Sequence, residues 1–183
     1  MGNLYGAAVA ELGAACEGID DAAVDRACRM IAEARSVIVY GCGRERLQIM
    51  GFAMRLFHLG LKVSVAGDVT TPPAGTGDLV IATAGPGYIS TASALIGIAR
   101  DAGAKVLVIT AQPQGKTATL ADAVLTIPAQ TMADDRGATV LTLPMGSLFE
   151  GALFILFEVM ILKLRDHLGV TPEAMRANHT NLE

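Results

Sequence analysis

Glu150, in the stretch LPMGSLFE (143–150), is a carboxylate set at the start of an otherwise apolar helix-patterned segment. A carboxylate there can answer the helix dipole, and burial among Phe149, Leu153 and Phe154 would lift its pKa toward the range of a general base. His179, in the polar tail ANHTNLE, is the second proton-carrying candidate, an exposed tail histidine being the plainer reading. His58 and His167 fall near the ends of helical segments, where an imidazole commonly answers the C-terminal dipole.

A second kind of chemistry is suggested by IATAGPGYISTAS (81–93), an apolar run that turns at a Gly-rich bend and enters a helix. Gly85 and Gly87 let a ligand approach the backbone, and the helix start offers unpaired N–H groups to an anion, although Pro86 removes one donor. Ser90 and Thr91 would supply hydroxyls to the ligand or cap the helix. Tyr88 would line the same pocket, and Arg44 would add positive charge or stay solvated. Gly41-Cys42-Gly43 begins like a dinucleotide fingerprint, with Asp68 placed as a ribose-binding acid. Its third glycine position is Arg46, however, where close helix-strand packing calls for a small residue, so this is the weaker reading.

These residues need a scaffold that gathers distant loops. Five β-branched runs, SVIVY (36–40), KVSVAG (62–67), DLVIATA (78–84), KVLVIT (105–110) and AVLTIP (123–128), alternate with helix-patterned segments. That alternation predicts an α/β fold with a doubly wound five-stranded parallel sheet. Ligands of such sheets bind beyond the carboxyl ends of the strands, which selects the loops 41–46, 67–73 with Thr70, 84–91 and 110–117. Helices are expected over Leu4–Glu17 and Asp21–Ala34, and along Leu47, Met50, Ala53, Met54 and Phe57 up to Gly60. Others are expected over Ile89–Ala102, Lys116–Ala121 and Ser147–Leu168, with a short tail helix opening at Thr171-Pro172-Glu173 and a loop over 129–146.

The chain has 183 residues, 52% of them hydrophobic and 17% charged, which implies one domain over 1–183 and some apolar surface between subunits of a homo-oligomer. The run GALFILFEVMIL (151–162) is shorter than a bilayer span and carries Glu158, so no membrane segment is expected. The N-terminus lacks Lys or Arg ahead of its apolar residues, and a cytoplasmic location follows as the expectation. Three cysteines without a CxxC pair predict reduced thiols and no structural zinc. A net charge of −4 without a basic run argues against a nucleic-acid surface.

The segments VIVYGCGR (37–44), FAMRLFHLG (52–60), GDVTTP (67–72), GDLVIATAGPG (77–87), LADAVLTIP (120–128), LPMGSLFE (143–150) and NHTNL (178–182) make the chain resemble sugar isomerase (SIS) domain proteins of the 6-phospho-3-hexuloisomerase branch. The resemblance implies a flavodoxin-like sheet and a tetramer built from dimers, with active sites shared between subunits. It also implies an enediol reaction that moves a carbonyl between carbons 3 and 2 of a ketohexose phosphate. It casts Glu150 as the group that moves the carbon-bound proton and His179 as its helper in ring opening or proton transfer between oxygens. Gly43, Arg44, Thr70, Gly85, Gly87, Tyr88, Ser90 and Thr91 would bind substrate, and no metal or organic cofactor is expected. Two departures stand out. The family's Ser-Gly-Ser-Gly-Glu-Thr loop is Ala84-Gly85-Pro86-Gly87-Tyr88-Ile89 here, and the Ser usual after Arg in the first loop is Glu45. Each lost charge-assisted bond is worth about 1.5–3 kcal/mol, so a non-catalytic sugar-binding module is the alternative function.

Overall fold

The computed structural model describes residues 3–136 and 141–182. Two helices, α1 (Leu4–Glu17) and α2 (Asp21–Glu33), precede β1 (Val37–Tyr40), α3 (Gly43–His58) and β2 (Val63–Val65). They are followed by β3 (Leu79–Thr83), α4 (Ser90–Asp101), β4 (Lys105–Thr110), β5 (Ala123–Thr126), α5 (Ser147–Leu168) and α6 (Pro172–Ala177). All neighbouring strands are parallel, in the order β2-β1-β3-β4-β5.

Alternate strand residues face opposite ways, so the inner strands feed two cores. Val37, Val39, Leu79, Ile81, Leu107, Ile109 and Leu125 join the core built with α1, α2, α3 and α5. Ile38, Val80, Ala82, Val106 and Val108 join the core under α4. Burial on both faces is why the strands read as continuous apolar runs rather than alternating ones. Between α3 and α5, Phe52 and Phe157 stack with centroids 4.3 Å apart.

One expectation needs correction. Lys116–Ala121 forms only a single 3₁₀ turn, Ala118–Leu120. Thr117 is already engaged outside a helix, donating its N–H to the Gly87 carbonyl and accepting the Ile89 N–H at its hydroxyl oxygen. The helix expected along Leu47, Met50, Ala53, Met54 and Phe57 is α3, whose core face is Ile49, Phe52, Ala53 and Leu56. Leu47, Met50, Met54 and Phe57 keep the helical period but point outward, 41–67% exposed. Part of the expected loop over 129–146, residues 137–140, lies outside the described residues.

The strand order reverses between β1 and β3, since β1 connects toward one edge and β3 toward the other. The loops after these two strands diverge there and open the crevice in which doubly wound folds hold ligands.

Candidate functional site

At this crevice the first turns of α3 and α5 meet. Successive helix residues point about 100° apart, and Arg44 and Glu45 accordingly leave α3 in different directions. Arg44 turns to α5, where its Nε lies 3.0 Å from Glu150 Oε2. Its other nitrogens donate to Ser147 Oγ at 3.0 Å and to the Met145 carbonyl at 2.6 Å. Glu45 turns beneath the bend after β3, and its carboxylate accepts the Gly85 N–H at 3.1 and 3.2 Å.

The turn that launches α5 is unusual. Met145 and Gly146 both have positive φ, 55° and 83°, a conformation that strains a residue with a side chain. Arg44 holds this turn by the Met145 carbonyl. Glu11 of α1 holds the residues just before it, accepting the N–H groups of Thr142 and Leu143 at 2.7 and 3.0 Å. Glu150 is thereby fixed by two clamps from elements distant in sequence.

Burial pushes the Glu150 carboxyl above its ordinary value, and Arg44 opposes that rise. The result is a carboxylate that can be ionised yet remains a better base than a solvated one. Burial raises the Glu45 carboxyl as well, the Gly85 N–H pulling it down and the negative charge of Glu150 pushing it up.

The Gly-Pro-Gly bend is tightly built. A Cβ on Gly85 would lie 2.8 Å from both Glu45 Oε1 and Phe149 Cδ1, and one on Gly87 would lie 2.6 Å from Gln112 Cβ. Thr110 Oγ1 donates to the Ala84 carbonyl at 2.6 Å. The residue ahead of α4 is Ile89, and no side chain caps this helix. Ser90 and Thr91 are therefore not spent as caps, and both are exposed. The first N–H of α4 to reach a backbone acceptor of the preceding loop is that of Ser93, on Ile89, so the turn before it faces the crevice with open donors. Thr91 Oγ1 lies 3.3 Å from the Cys42 thiol, which in turn lies 3.2 Å from the Tyr40 hydroxyl.

Of the residues expected to act together, the structure gathers Gly43, Arg44, Gly85 and Glu150 around the two carboxylates, with Thr91 joined across the crevice through Cys42. Gly43 opens α3 with φ 55°. Tyr88 is half exposed, with Lys116 Nζ 5.5 Å from its ring centroid. Thr70 lies farther out, on an open groove of about 650 Å³ between the outward face of α3, the edge strand β2 and residues 68–73. The lining of that groove includes a carboxylate–guanidinium pair of its own, Asp78 with Arg35. Asp68 is engaged by Arg46, 3.5 Å away, and the close approach expected of a third glycine is made by Gly41, whose Cβ would lie 3.0 Å from Arg46 Cα.

His179 is not brought to Glu150 within the chain. It stacks on His58, with ring centroids 5.1 Å apart, at the far end of α3. The length of that helix separates them, roughly 21 Å at 1.5 Å per residue. Sequence reasoning noticed Glu45 only as an added charge and passed over Glu11, Cys42 and Tyr40; the signal for Glu45 was its place one residue after Arg44 in the first turn of α3.

The SIS domain family model matches residues 30–155. The 3-hexulose-6-phosphate isomerase of Mycobacterium gastri is 39% identical over 90% of this chain and 82% of its own. That of Bacillus subtilis is 32% identical over 90% and 89%. A Methanococcus jannaschii protein, whose structure was taken to imply 3-hexulose-6-phosphate isomerase function, superposes with a TM-score of 0.80 at 25% identity, covering 89% of this chain and 87% of that one.

Proposed function

Since the chain belongs to the SIS domain family, we propose that it is a sugar-phosphate isomerase of the 3-hexulose-6-phosphate isomerase type, with Glu150 as its base. The single observation that carries this reading is the Glu150–Arg44 pair at the carboxyl edge of the sheet, a partly buried carboxylate kept ionisable by one guanidinium. The similarity to named isomerases over nine-tenths of the chain supports the substrate class.

In this reading the Glu150 carboxylate takes the proton from carbon 2 of a 3-ketose phosphate, and the electrons of that C–H bond become the C2–C3 double bond of an enediol. The same carboxyl returns a proton to carbon 3, while the hydroxyl proton on oxygen 2 is transferred to oxygen 3, leaving a carbonyl at carbon 2. His179 moves the latter proton from a neighbouring copy of the chain, which brings the tail to the crevice that its own chain does not reach. The open donors of α4, with Ser90 and Thr91, take the phosphate. The non-catalytic alternative is disfavoured by the retained base and its clamps, which a passive binding module has no need to hold ionisable.

Glu150→Gln keeps the shape of the side chain and removes the base. Its turnover of 3-hexulose 6-phosphate should fall by at least about 10³-fold with an unchanged circular dichroism spectrum. Activity near that of the unaltered chain would reject the assignment.

A further inference from the structure

Glu45 is the one carboxylate of the crevice with no cation to answer it. It is 7% exposed, and among the described residues no Lys, Arg or His lies within ion-pair distance of it. The two arginines beside it in sequence are committed elsewhere, Arg44 to Glu150, Ser147 and the Met145 carbonyl, and Arg46 to Asp68 and the Ala66 carbonyl. What Glu45 does have is the Gly85 N–H, which donates to both of its oxygens.

That amide belongs to the bend whose glycines and following helix start make an anion-binding shape. An oxyanion bound at such a bend accepts backbone N–H groups, and here a side-chain oxyanion already does so. The fit is close, because the site of a Gly85 Cβ is filled from one side by Glu45 Oε1 and from the other by the Phe149 ring. Beside it the completely buried Thr83 hydroxyl helps to hold the Glu45 carboxylate in its charged form.

We infer that Glu45 sets the charge this crevice accepts: its carboxylate stands in for a bound oxyanion at the Gly85 amide and disfavours any ligand that presents a dianion to the bend. The inference rests on the reading of the crevice as the sugar-binding edge and deepens it. A phosphorylated sugar must place its phosphate toward the start of α4 and Ser90, away from Gly85, and binds less tightly for the negative charge beneath it. A neutral sugar group faces no such penalty. Glu45 is thus a specificity-determining residue, and the missing serines of the bend and the acquired Glu are two parts of one change.

The test is calorimetric binding to the full-length chain at neutral pH, using a non-isomerisable hexitol 6-phosphate, the free hexitol and sulfate. Two variants are compared with the unaltered chain. Glu45→Gln keeps an oxygen for the Gly85 N–H and removes the charge, and Glu45→Ser removes both charge and bulk. Both should bind the hexitol phosphate and sulfate about tenfold more tightly, in keeping with relief of a like-charge contact at close range, with affinity for the free hexitol unchanged. Glu45→Gln guards against a folding defect in the smaller variant. Equal or weaker binding of the phosphate by both variants would overturn the inference, as would absence of binding by all three proteins. Because the ligand does not react, this outcome is separable from failure of the isomerase reading, which is judged by turnover of Glu150→Gln.

Discussion

Replacing Arg44 with Met tests how the base is tuned. The guanidinium is half exposed, 51%, while the Glu150 side chain is 16% exposed. Two unit charges about 4 Å apart attract by about 4 kcal/mol at a near-surface dielectric, whereas a fully exposed pair is worth about 0.2–1 kcal/mol. A partly screened pair falls between these limits. In the proposed mechanism Glu150 acts as a base only when ionised, so activity rises with pH through its folded pKa. Burial has already raised that value and Arg44 restrains the rise; without Arg44 it climbs further. The acid limb of the kcat/KM profile should therefore move to higher pH, with Arg44→Lys intermediate. Loss of the Ser147 and Met145 contacts will also lower the plateau, so the midpoint of the limb is the quantity to read. A carboxyl raised on folding favours the native state below its unfolded pKa and loses that contribution as pH rises through the folded one. The variant should accordingly be more destabilised at neutral pH than near pH 4. An acid limb that stays in place or moves down would refute the reasoning.

Gly85→Ala places a methyl group 2.8 Å from Glu45 Oε1 and from the Phe149 ring, and overpacking of this kind should cost about 1–3 kcal/mol, read as a lower Tm with reduced activity; an unchanged Tm would show that the bend yields freely. Asp78 is 2% exposed and accepts Arg35, Ser36 and the Gly75 N–H, with Arg35 the main cause of its lowered pKa. Asp78→Asn should lose about 2 kcal/mol near pH 7, and because a depressed carboxyl stabilises above its unfolded pKa and ceases to as pH falls through the folded one, the deficit should shrink in acid; a deficit independent of pH would contradict this. Mixing inactive Glu150→Gln and His179→Ala chains under conditions of subunit exchange should restore part of the activity, since hybrids contain sites with both groups intact, and no recovery would place the two residues in the same chain's chemistry or remove His179 from it.

The sheet was legible because its inner strands are buried on both faces and all five strands read as β-branched runs. The ends of α5 were legible for a different reason: Gly146 and Gly169 bracket it, both with positive φ. Which stripe of α3 faces inward was not legible, because it carries two apolar stripes at the same period and only the packing of Phe52 on Phe157 decides between them. Similarly, Ser90 and Thr91 could be read as caps or as ligand groups until Ile89 proved to precede the helix uncapped. The proton chemistry was half visible. Glu150 stood out as a charge in an apolar run, but its dependence on Arg44 and Glu11 joins residues far apart in sequence, which no local pattern records.

The adjacent pair Arg44-Glu45 shows why a local departure from a family's pattern cannot be judged one residue at a time. The turn of α3 sends the cation to the base and the anion to the bend, so a single helix start governs the ionisation of Glu150 and the charge beneath the ligand. The two effects are coupled, since the repulsion between the Glu45 and Glu150 carboxylates acts on both groups whichever is titrated. Exchanging Ser for Glu at position 45 therefore does more than weaken an anion's grip. In the proposed mechanism it also makes Arg44 more necessary, because a partly buried Glu150 must stay ionisable near the Glu45 charge, and Arg44 is the cation in contact with it.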